Sequence, residues 1–61
     1  MEKSVTLPAV LNVPQTAEYL GVSEDTVYNL VHSEGFPSFR IGRSWRVDGR
    51  RLGEWVAKQS A

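Results

Sequence analysis

The residues best suited to bind a charged ligand are five arginines in the second half of the 61-residue chain. Arg40, Arg43 and Arg46 recur at every third position, and Arg50 and Arg51 follow shortly afterwards. The planar guanidinium group donates several hydrogen bonds in a fixed geometry, which matches phosphate oxygens better than the point charge of a lysine does. This segment therefore favours contact with a polyanion.

The formal net charge of the chain is zero, but the charges are divided unevenly along it. Residues 1–34 carry one cation against five anions, whereas residues 35–61 carry six cations against two anions. A basic patch can bind nucleic acid even when the total charge is balanced, because the local field decides attraction at short range. The zero sum does not exclude a nucleic-acid partner.

Catalytic and metal-binding constellations are not evident in the sequence. The chain has no cysteine and one histidine, which cannot build a zinc site alone, and it has no glycine-rich phosphate loop. Its carboxylates fall at predicted helix starts, where capping explains them. We therefore expect a protein that is not an enzyme and has no cofactor or metal. With no secretory signal or membrane-spanning run, we expect it in the cytoplasm, associated with the nucleoid.

The segment from Ser23 to Glu34 is predicted to form an amphipathic helix. Ser23 can cap its start, and Glu24 and Asp25 place negative charge at the positive end of the helix dipole. The apolar face at helical spacing is Val27, Leu30 and Val31. The side chains left facing outward are Glu24, Asp25, Tyr28, Asn29 and His32. This outward face could lie in a DNA groove or simply be solvated.

A shorter helix is predicted upstream, from about Val13 to Leu20. Asn12 is a suitable cap, with Gln15 three residues later able to complete a capping box, and Gly21 can end the helix in a left-handed conformation. Only residues 21–23 then separate this helix from the next one. The pattern is that of a helix-turn-helix.

Residues 38–47 alternate in polarity and predict a β-hairpin. With residues 42–44 as the loop, the opposed pairs would be Phe39 with Val47, Arg40 with Arg46, and Ile41 with Trp45. One side of this hairpin would be apolar and the other wholly arginine. Because opposed arginines repel each other, this arrangement favours a phosphate-bearing partner.

Asp48 can cap a third helix from about Gly49 to Gln59, in which Leu52, Trp55 and Val56 would cover the core. Arg50 and Arg51 oppose the helix dipole in its first turn, which favours an external anion. The alternative is a surface ion pair with Glu54, and the sequence leaves both interpretations open. Residues 1–10 are predicted to be a flexible leader and residues 11–61 a single domain.

These motifs together resemble the excisionase-type helix-turn-helix domain, a family related to the winged DNA-binding domain of the MerR regulators. The matching motifs are Leu11-Asn12-Val13 to Ala17, Leu20-Gly21-Val22-Ser23, Thr26-Val27-Tyr28, Gly35-Phe36-Pro37, Arg40-Ile41-Gly42-Arg43, Trp45-Arg46-Val47, and Leu52 with Trp55. The resemblance implies a small, mostly helical α+β fold, the winged helix-turn-helix, with a two-stranded wing and a C-terminal helix.

The resemblance also implies how DNA would be bound. Helix 23–34 would enter the major groove, and the wing, residues 38–47, would contact the minor groove or the backbone. The implied contact residues, with the start of the third helix added, are Ser23, Glu24, Asp25, Thr26, Tyr28, Asn29, His32, Arg40, Arg43, Ser44, Arg46, Arg50 and Arg51. Trp45 and Trp55 are expected in the core.

The second helix departs from the family pattern. Relatives commonly carry arginine or lysine early in this helix and at position 29, where this chain has Glu24, Asp25 and Asn29. Carboxylates near phosphates lower affinity, whereas Glu or Asp can accept a hydrogen bond from cytosine N4 and asparagine can pair with adenine. We therefore expect the helix to supply discrimination and the wing to supply affinity.

Three roles are compatible with the sequence. The first is an excisionase-like recombination directionality or architectural factor, acting with a recombinase or integrase and associating cooperatively with itself on double-stranded DNA. The second is a small prophage transcriptional regulator. The third is a protein-interaction adaptor that has lost DNA binding, motivated by Glu24, Asp25 and the zero net charge.

Overall fold

Two short helices joined by a tight turn form the N-terminal part of the fold. The computed structural model describes residues 8–60, without the side chain of Ser60, and places α1 at Val13–Leu20 and α2 at Glu24–Val31. Asn12 caps α1 in a complete capping box: its Oδ1 accepts from the Gln15 N–H at 2.8 Å, and its own N–H donates to Gln15 Oε1 at 2.9 Å. Gly21 closes α1 in the left-handed conformation. The predicted bounds of α1 are confirmed.

Helix α2 begins where the sequence predicts but ends three residues earlier. Ser23 is its cap, and His32 is the residue at which the helix closes. The N–H of Ser33 donates to the Leu30 carbonyl at 2.8 Å, and the Val31 carbonyl accepts from Ser38 Oγ at 3.2 Å. These bonds tighten the last turn and engage the terminal carbonyl, so residues 32–34 lie outside the helix. The prediction that it extends to Glu34 is wrong.

A three-stranded antiparallel sheet packs beside the helices. Its strands are β1 (Val10–Leu11), β2 (Ser38–Ile41) and β3 (Ser44–Asp48), in the order β1-β3-β2. The sequence predicted only the two strands of the hairpin. Strand β1 pairs with residues 47–48 and begins inside the predicted leader, so the folded part starts before residue 11. Residues 1–7 of that leader lie outside the described residues.

The hairpin register differs by one residue from the prediction. Its loop is only Gly42-Arg43, and Arg40 lies opposite Trp45 while Phe39 lies opposite Arg46. Gly42 has a φ of 61° whereas no non-glycine residue described has a positive φ, the pattern of a two-residue II′ turn. Because side chains alternate between faces, this shift by one residue exchanges the faces of β2 relative to β3. The predicted pairing of Arg40 with Arg46, and the wholly arginine face, are wrong.

The shift has a visible consequence for burial. Phe39 and Ile41, predicted to face the core, are 39% and 57% exposed. They share the outer face with Arg46, whereas Arg40 shares the inner face with Trp45 and Val47. The argument that opposed arginines require a polyanion therefore no longer holds.

The core is formed where both helices, the sheet and α3 (Gly49–Ser60) meet. Its buried apolar residues are Leu11, Val13, Ala17, Val27, Val31, Phe36, Val47 and Leu52. Thr16 is buried among them, and its hydroxyl donates to the Asn12 carbonyl at 2.8 Å, so its polar group is satisfied. The order helix, turn, helix, hairpin and closing helix defines a winged helix-turn-helix.

Helix α3 is capped as predicted by Asp48, whose Oδ1 accepts from the N–H groups of Arg50 and Arg51 at 3.0 and 3.3 Å. Its first residue, Gly49, is buried, and a Cβ there would collide with the Pro8 carbonyl. The N–H of Gly49 also donates to the Ala9 carbonyl at 2.9 Å. This glycine thus permits the close approach of two chain segments. No helix in residues 8–60 has the length and hydropathy to cross a membrane.

Candidate nucleic-acid interface

A groove between α2, the wing and the start of α1 brings together part of the predicted site. It has a volume of about 200 Å³, and its lining residues are Asn12, Val13, Pro14, Tyr28, Arg43, Ser44, Trp45 and Arg46. Four of these were predicted from the sequence: Tyr28 on the helix, and Arg43, Ser44 and Arg46 on the wing. The helix face and the wing tip therefore border one concave surface, which we call the helix-wing groove.

The first turn of α2 is exposed but partly committed to its own cap. Ser23 Oγ accepts from the Thr26 N–H at 3.2 Å and lies 3.1 Å from Thr26 Oγ1. Glu24 and Asp25 are both exposed and form no ion pair among the described residues. Ser23 and Thr26 therefore hold the helix start, while the two carboxylates present free negative charge to any partner at this end.

The middle of α2 presents a polar and aromatic face to solvent. Tyr28 is 47% exposed, and Asn29, one residue further on, is exposed as well. The Asn29 amide has no hydrogen bond within the described residues, so its donors and acceptor are available to a partner. The predicted outward face of the helix is therefore present up to residue 29.

His32 lies at the C-terminal end of α2 and contacts the wing. Its ring meets that of Trp45 with centroids 5.4 Å apart and planes at 83°, an edge-to-face arrangement. On the same wing, the Arg40 guanidinium carbon lies 5.2 Å from the centroid of the Trp45 ring. The two predicted contact residues are thus joined through a tryptophan that was assigned to the core.

The three wing arginines occupy different environments. Arg40 is exposed and stacked on Trp45, and Arg43 is exposed at the turn. Arg46 is half-buried, and its Nη1 donates to the Trp45 carbonyl at 2.9 Å. None of the three forms an ion pair with a carboxylate in the described part of the chain. In this part of the chain, the three guanidinium charges of the hairpin therefore lack an anionic partner, although Arg40 and Arg46 are held by Trp45.

The start of α3 does not join this groove. Arg51 lies 4.0 Å from Asp48, measured from Nε to Oδ2, so its partner is the capping residue and not Glu54. Arg51 lines a different groove, of about 630 Å³, that lies between α3 and residues 35–39 and also includes Trp55 and Lys58. Arg50 is exposed and belongs to neither groove.

Sequence reasoning missed the part of the groove that α1 and Trp45 contribute. Asn12 was assigned only to capping α1 and Trp45 only to the core, and Val13 and Pro14 were not predicted as contact residues. A signal for Trp45 was present: treating Gly42-Arg43 as a two-residue loop places Arg40 directly opposite Trp45. No comparable local signal exists for α1, because its approach to the wing depends on the tertiary fold.

The fold and the groove define a winged helix-turn-helix protein with a cationic wing. Comparison with known families matches residues 10–60 to a helix-turn-helix domain family. This match covers most of the chain, so the protein belongs to this family, which is the excisionase type. The resemblance stated from the sequence motifs is confirmed.

Two curated relatives come from Mycobacterium tuberculosis, one from strain CDC 1551 / Oshkosh and one from strain H37Rv. Both carry the name "Putative DNA-binding protein", and each is 44% identical over 43 residues. The matched region is 70% of this chain and 55% of each relative, so the similarity spans about half the length of these proteins. No solved structure gives a significant match.

Proposed function

We propose that the chain binds duplex DNA, with α2 in the major groove and the wing on the minor groove or the sugar-phosphate backbone. The observation that carries this proposal is the helix-wing groove, in which Tyr28 and the wing residues Arg43, Ser44 and Arg46 border one surface. A helix that reaches base edges beside a cationic hairpin that contacts phosphates is the arrangement that winged domains use to hold a duplex. Family membership supports the same function.

The charges favour a division of roles between the two elements. The exposed carboxylates of Glu24 and Asp25 would be repelled by phosphates, so the start of α2 lowers affinity for DNA in general. Asn29 offers an unengaged amide that can pair with adenine in the major groove. The three wing arginines, free of carboxylate partners in residues 8–60, would supply the attraction. The helix would then discriminate between DNA sequences, and the wing would supply the affinity for DNA.

In the cell, we propose that the protein acts as an excisionase-like recombination directionality or architectural factor. It would bind DNA beside a recombinase or integrase, associate with further copies along the duplex, and reside with the nucleoid in the cytoplasm. Membership of the excisionase-type family supports this role. Cooperative neighbours would compensate for weak binding by a single small domain. The role as a small prophage transcriptional regulator is the alternative, and a recombinase that binds the same duplex cooperatively with this protein would favour the first role.

The test of DNA binding is an amide-shift titration of the ¹⁵N-labelled protein with a random-sequence duplex at about 50 mM and about 200 mM salt. We expect shifts at Tyr28, Asn29 and residues 40–46, with weaker binding at the higher salt concentration. Amides that line the groove containing Arg51 and Lys58 should move least. Shifts confined to that groove would contradict the proposed interface.

A second candidate function, the protein-interaction adaptor, is favoured by one specific feature. Glu24 and Asp25 keep a free acidic pair at the helix end that would approach DNA, and the overall charge is zero. In the titration above, unchanged amide positions in both α2 and the wing at low salt would support the adaptor and contradict DNA binding.

A further inference from the structure

Trp45 contacts three residues of the proposed interface. Its ring meets His32 at a centroid separation of 5.4 Å and lies under the Arg40 guanidinium carbon at 5.2 Å. Its carbonyl accepts from Arg46 Nη1 at 2.9 Å. One half-buried residue of β3 thus touches the end of α2 and two of the wing cations.

We propose that Trp45 is a positioning residue that fixes the wing relative to the outward face of α2 and so sets the sequence discrimination of the complex. The part of this inference that concerns discrimination rests on the proposed DNA binding. The part that concerns the relative position of helix and wing is a property of the free protein. The two parts are therefore tested separately.

The path of the chain explains why such a residue is needed. Helix α2 ends at Val31, and residues 32–37 connect it to β2 without belonging to a helix or strand. Apart from the apolar core, which includes Val31 and Val47, two contacts among the described residues join the end of α2 to the hairpin: the hydrogen bond from Ser38 Oγ to the Val31 carbonyl, and the ring contact between His32 and Trp45. Since the first holds only the base of β2, the second orients the hairpin farther towards its tip.

The chemistry of an indole ring suits this role. Its extended face accepts the Arg40 cation while the ring also meets the imidazole of His32, and a branched aliphatic side chain can do neither. The bond from Arg46 uses the backbone carbonyl of residue 45, so it can persist when the side chain is replaced. The substitution Trp45→Leu therefore removes the two ring contacts and retains an apolar side chain.

Trp55 provides a matched control. It is also half-buried, and its ring meets Phe36 with centroids 5.0 Å apart and planes at 86°. Trp55 lines the groove with Arg51 and Lys58, not the helix-wing groove. Trp55→Leu thus removes a comparable ring from the fold without touching His32 or Arg40.

The first experiment measures residual dipolar couplings of backbone amides in the free protein. In the wild type and in Trp55→Leu, we expect α2 and the wing to fit one alignment tensor with the orientation of the structure. In Trp45→Leu, the wing should deviate from that common tensor, and Trp45→Phe should largely restore it. A common tensor and unchanged orientation in Trp45→Leu would overturn the proposal. If Trp45→Leu does not fold, His32→Leu removes the ring contact from an exposed residue, and the same two outcomes apply.

The second experiment measures affinities for a duplex selected by the wild-type protein from a randomised pool and for a scrambled duplex of equal composition. We expect Trp45→Leu to lower the ratio of the two affinities about tenfold, while affinity for the scrambled duplex changes little. Trp55→Leu should keep the wild-type ratio, and Trp45→Phe should recover most of it.

The outcomes separate this inference from the proposed function. A wild type that binds neither duplex would contradict DNA binding and, with it, the role in discrimination, whereas the dipolar couplings would still decide the positioning role. If the wild type discriminates between the duplexes and Trp45→Leu has the same ratio of affinities as the wild type, the role in discrimination alone is overturned. Equal losses in Trp45→Leu and Trp55→Leu would reduce Trp45 to a general packing residue.

Discussion

The helix pair and the sheet of this protein are held together in contrasting ways. The residues that cap helices α1 and α2 lie within four positions of the backbone groups they bond, as in the reciprocal pair of Asn12 and Gln15. The sheet depends on distant partners, since β1 pairs with residues 47–48 and Gly49 bonds to the Ala9 carbonyl. The first region is determined locally and the second by the tertiary fold.

The same contrast applies to the proposed interface. At the start of α2, Ser23 and Thr26 form hydrogen bonds with each other. The exposed side chains of Glu24 and Asp25 add negative charge at the same end. The wing bears three guanidinium groups with no carboxylate partner among the described residues. A locally stable helix can carry an acidic, discriminating face because the element that attracts DNA lies elsewhere in the fold.

The largest effect on stability is expected at Gly49, where α3 meets the segment that leads into β1. Gly49→Ala would press a Cβ against the Pro8 carbonyl and within 3.1 Å of Leu11 Cδ1. Since the backbone must move, we expect the free energy of unfolding to fall by about 1–3 kcal/mol. Urea denaturation followed by circular dichroism measures this change.

The control is Gly53→Ala in the same helix. A Cβ at Gly53 meets nothing within 4 Å, so the substitution should raise stability by about 0.5–1 kcal/mol through helix propensity. If both variants changed stability in the same direction, the close approach at Gly49 would not be what constrains this junction.

The next effect concerns discrimination by α2. Asn29→Ala should reduce the difference in binding free energy between a selected and a scrambled duplex by about 1–3 kcal/mol, because one base-pairing amide is lost. Fluorescence anisotropy on both duplexes measures this difference. Gln59→Ala, which removes an exposed amide from α3, is the matched control and should leave the difference unchanged. A uniform loss on both duplexes would show that Asn29 does not contact bases.

A smaller effect is expected from a local cap. Asn12→Ala removes the acceptor of the Gln15 N–H and should cost about 1 kcal/mol of stability. Asn29→Ala makes the same chemical change on a residue that caps nothing and should stay within about 0.5 kcal/mol of the wild type. Thermal or urea unfolding of the two variants compares them directly, and equal stabilities would contradict the local determination of α1.

Sequence alone predicted the locally determined parts well. The bounds of α1, the caps Ser23 and Asp48 and the family all follow from short-range patterns. The register of the hairpin did not, because the alternation of apolar residues favours a three-residue loop, whereas the chain turns in two residues at Gly42 and leaves Phe39 and Ile41 exposed. Strand β1 was missed because two residues carry no periodicity of their own.

For the proposed site as well, the features set by short-range patterns were the ones that sequence predicted. Sequence identified the exposed helix residues and the wing arginines, whereas the contacts of Trp45 depend on the register. For Arg51, an external anion was weighed against Glu54 and Asp48 was overlooked, although Asp48 caps the first turn and also pairs with the Arg51 side chain. Which cations are free is decided by their neighbours, along the chain as for Arg51 or across the hairpin as for Arg40, and not by composition.

The central claim, that the wing supplies affinity, is tested most directly by the salt dependence of duplex binding in the wild type, Arg43→Ala and Lys58→Ala. Lys58 is an exposed cation of α3 outside the helix-wing groove. In a plot of log affinity against log salt concentration, loss of one phosphate contact in Arg43→Ala should make the slope less steep by about 0.9 and lower the affinity on all sequences. Lys58→Ala should keep the wild-type slope. Equal slopes in the wild type and Arg43→Ala, or a reduced slope in Lys58→Ala alone, would contradict it.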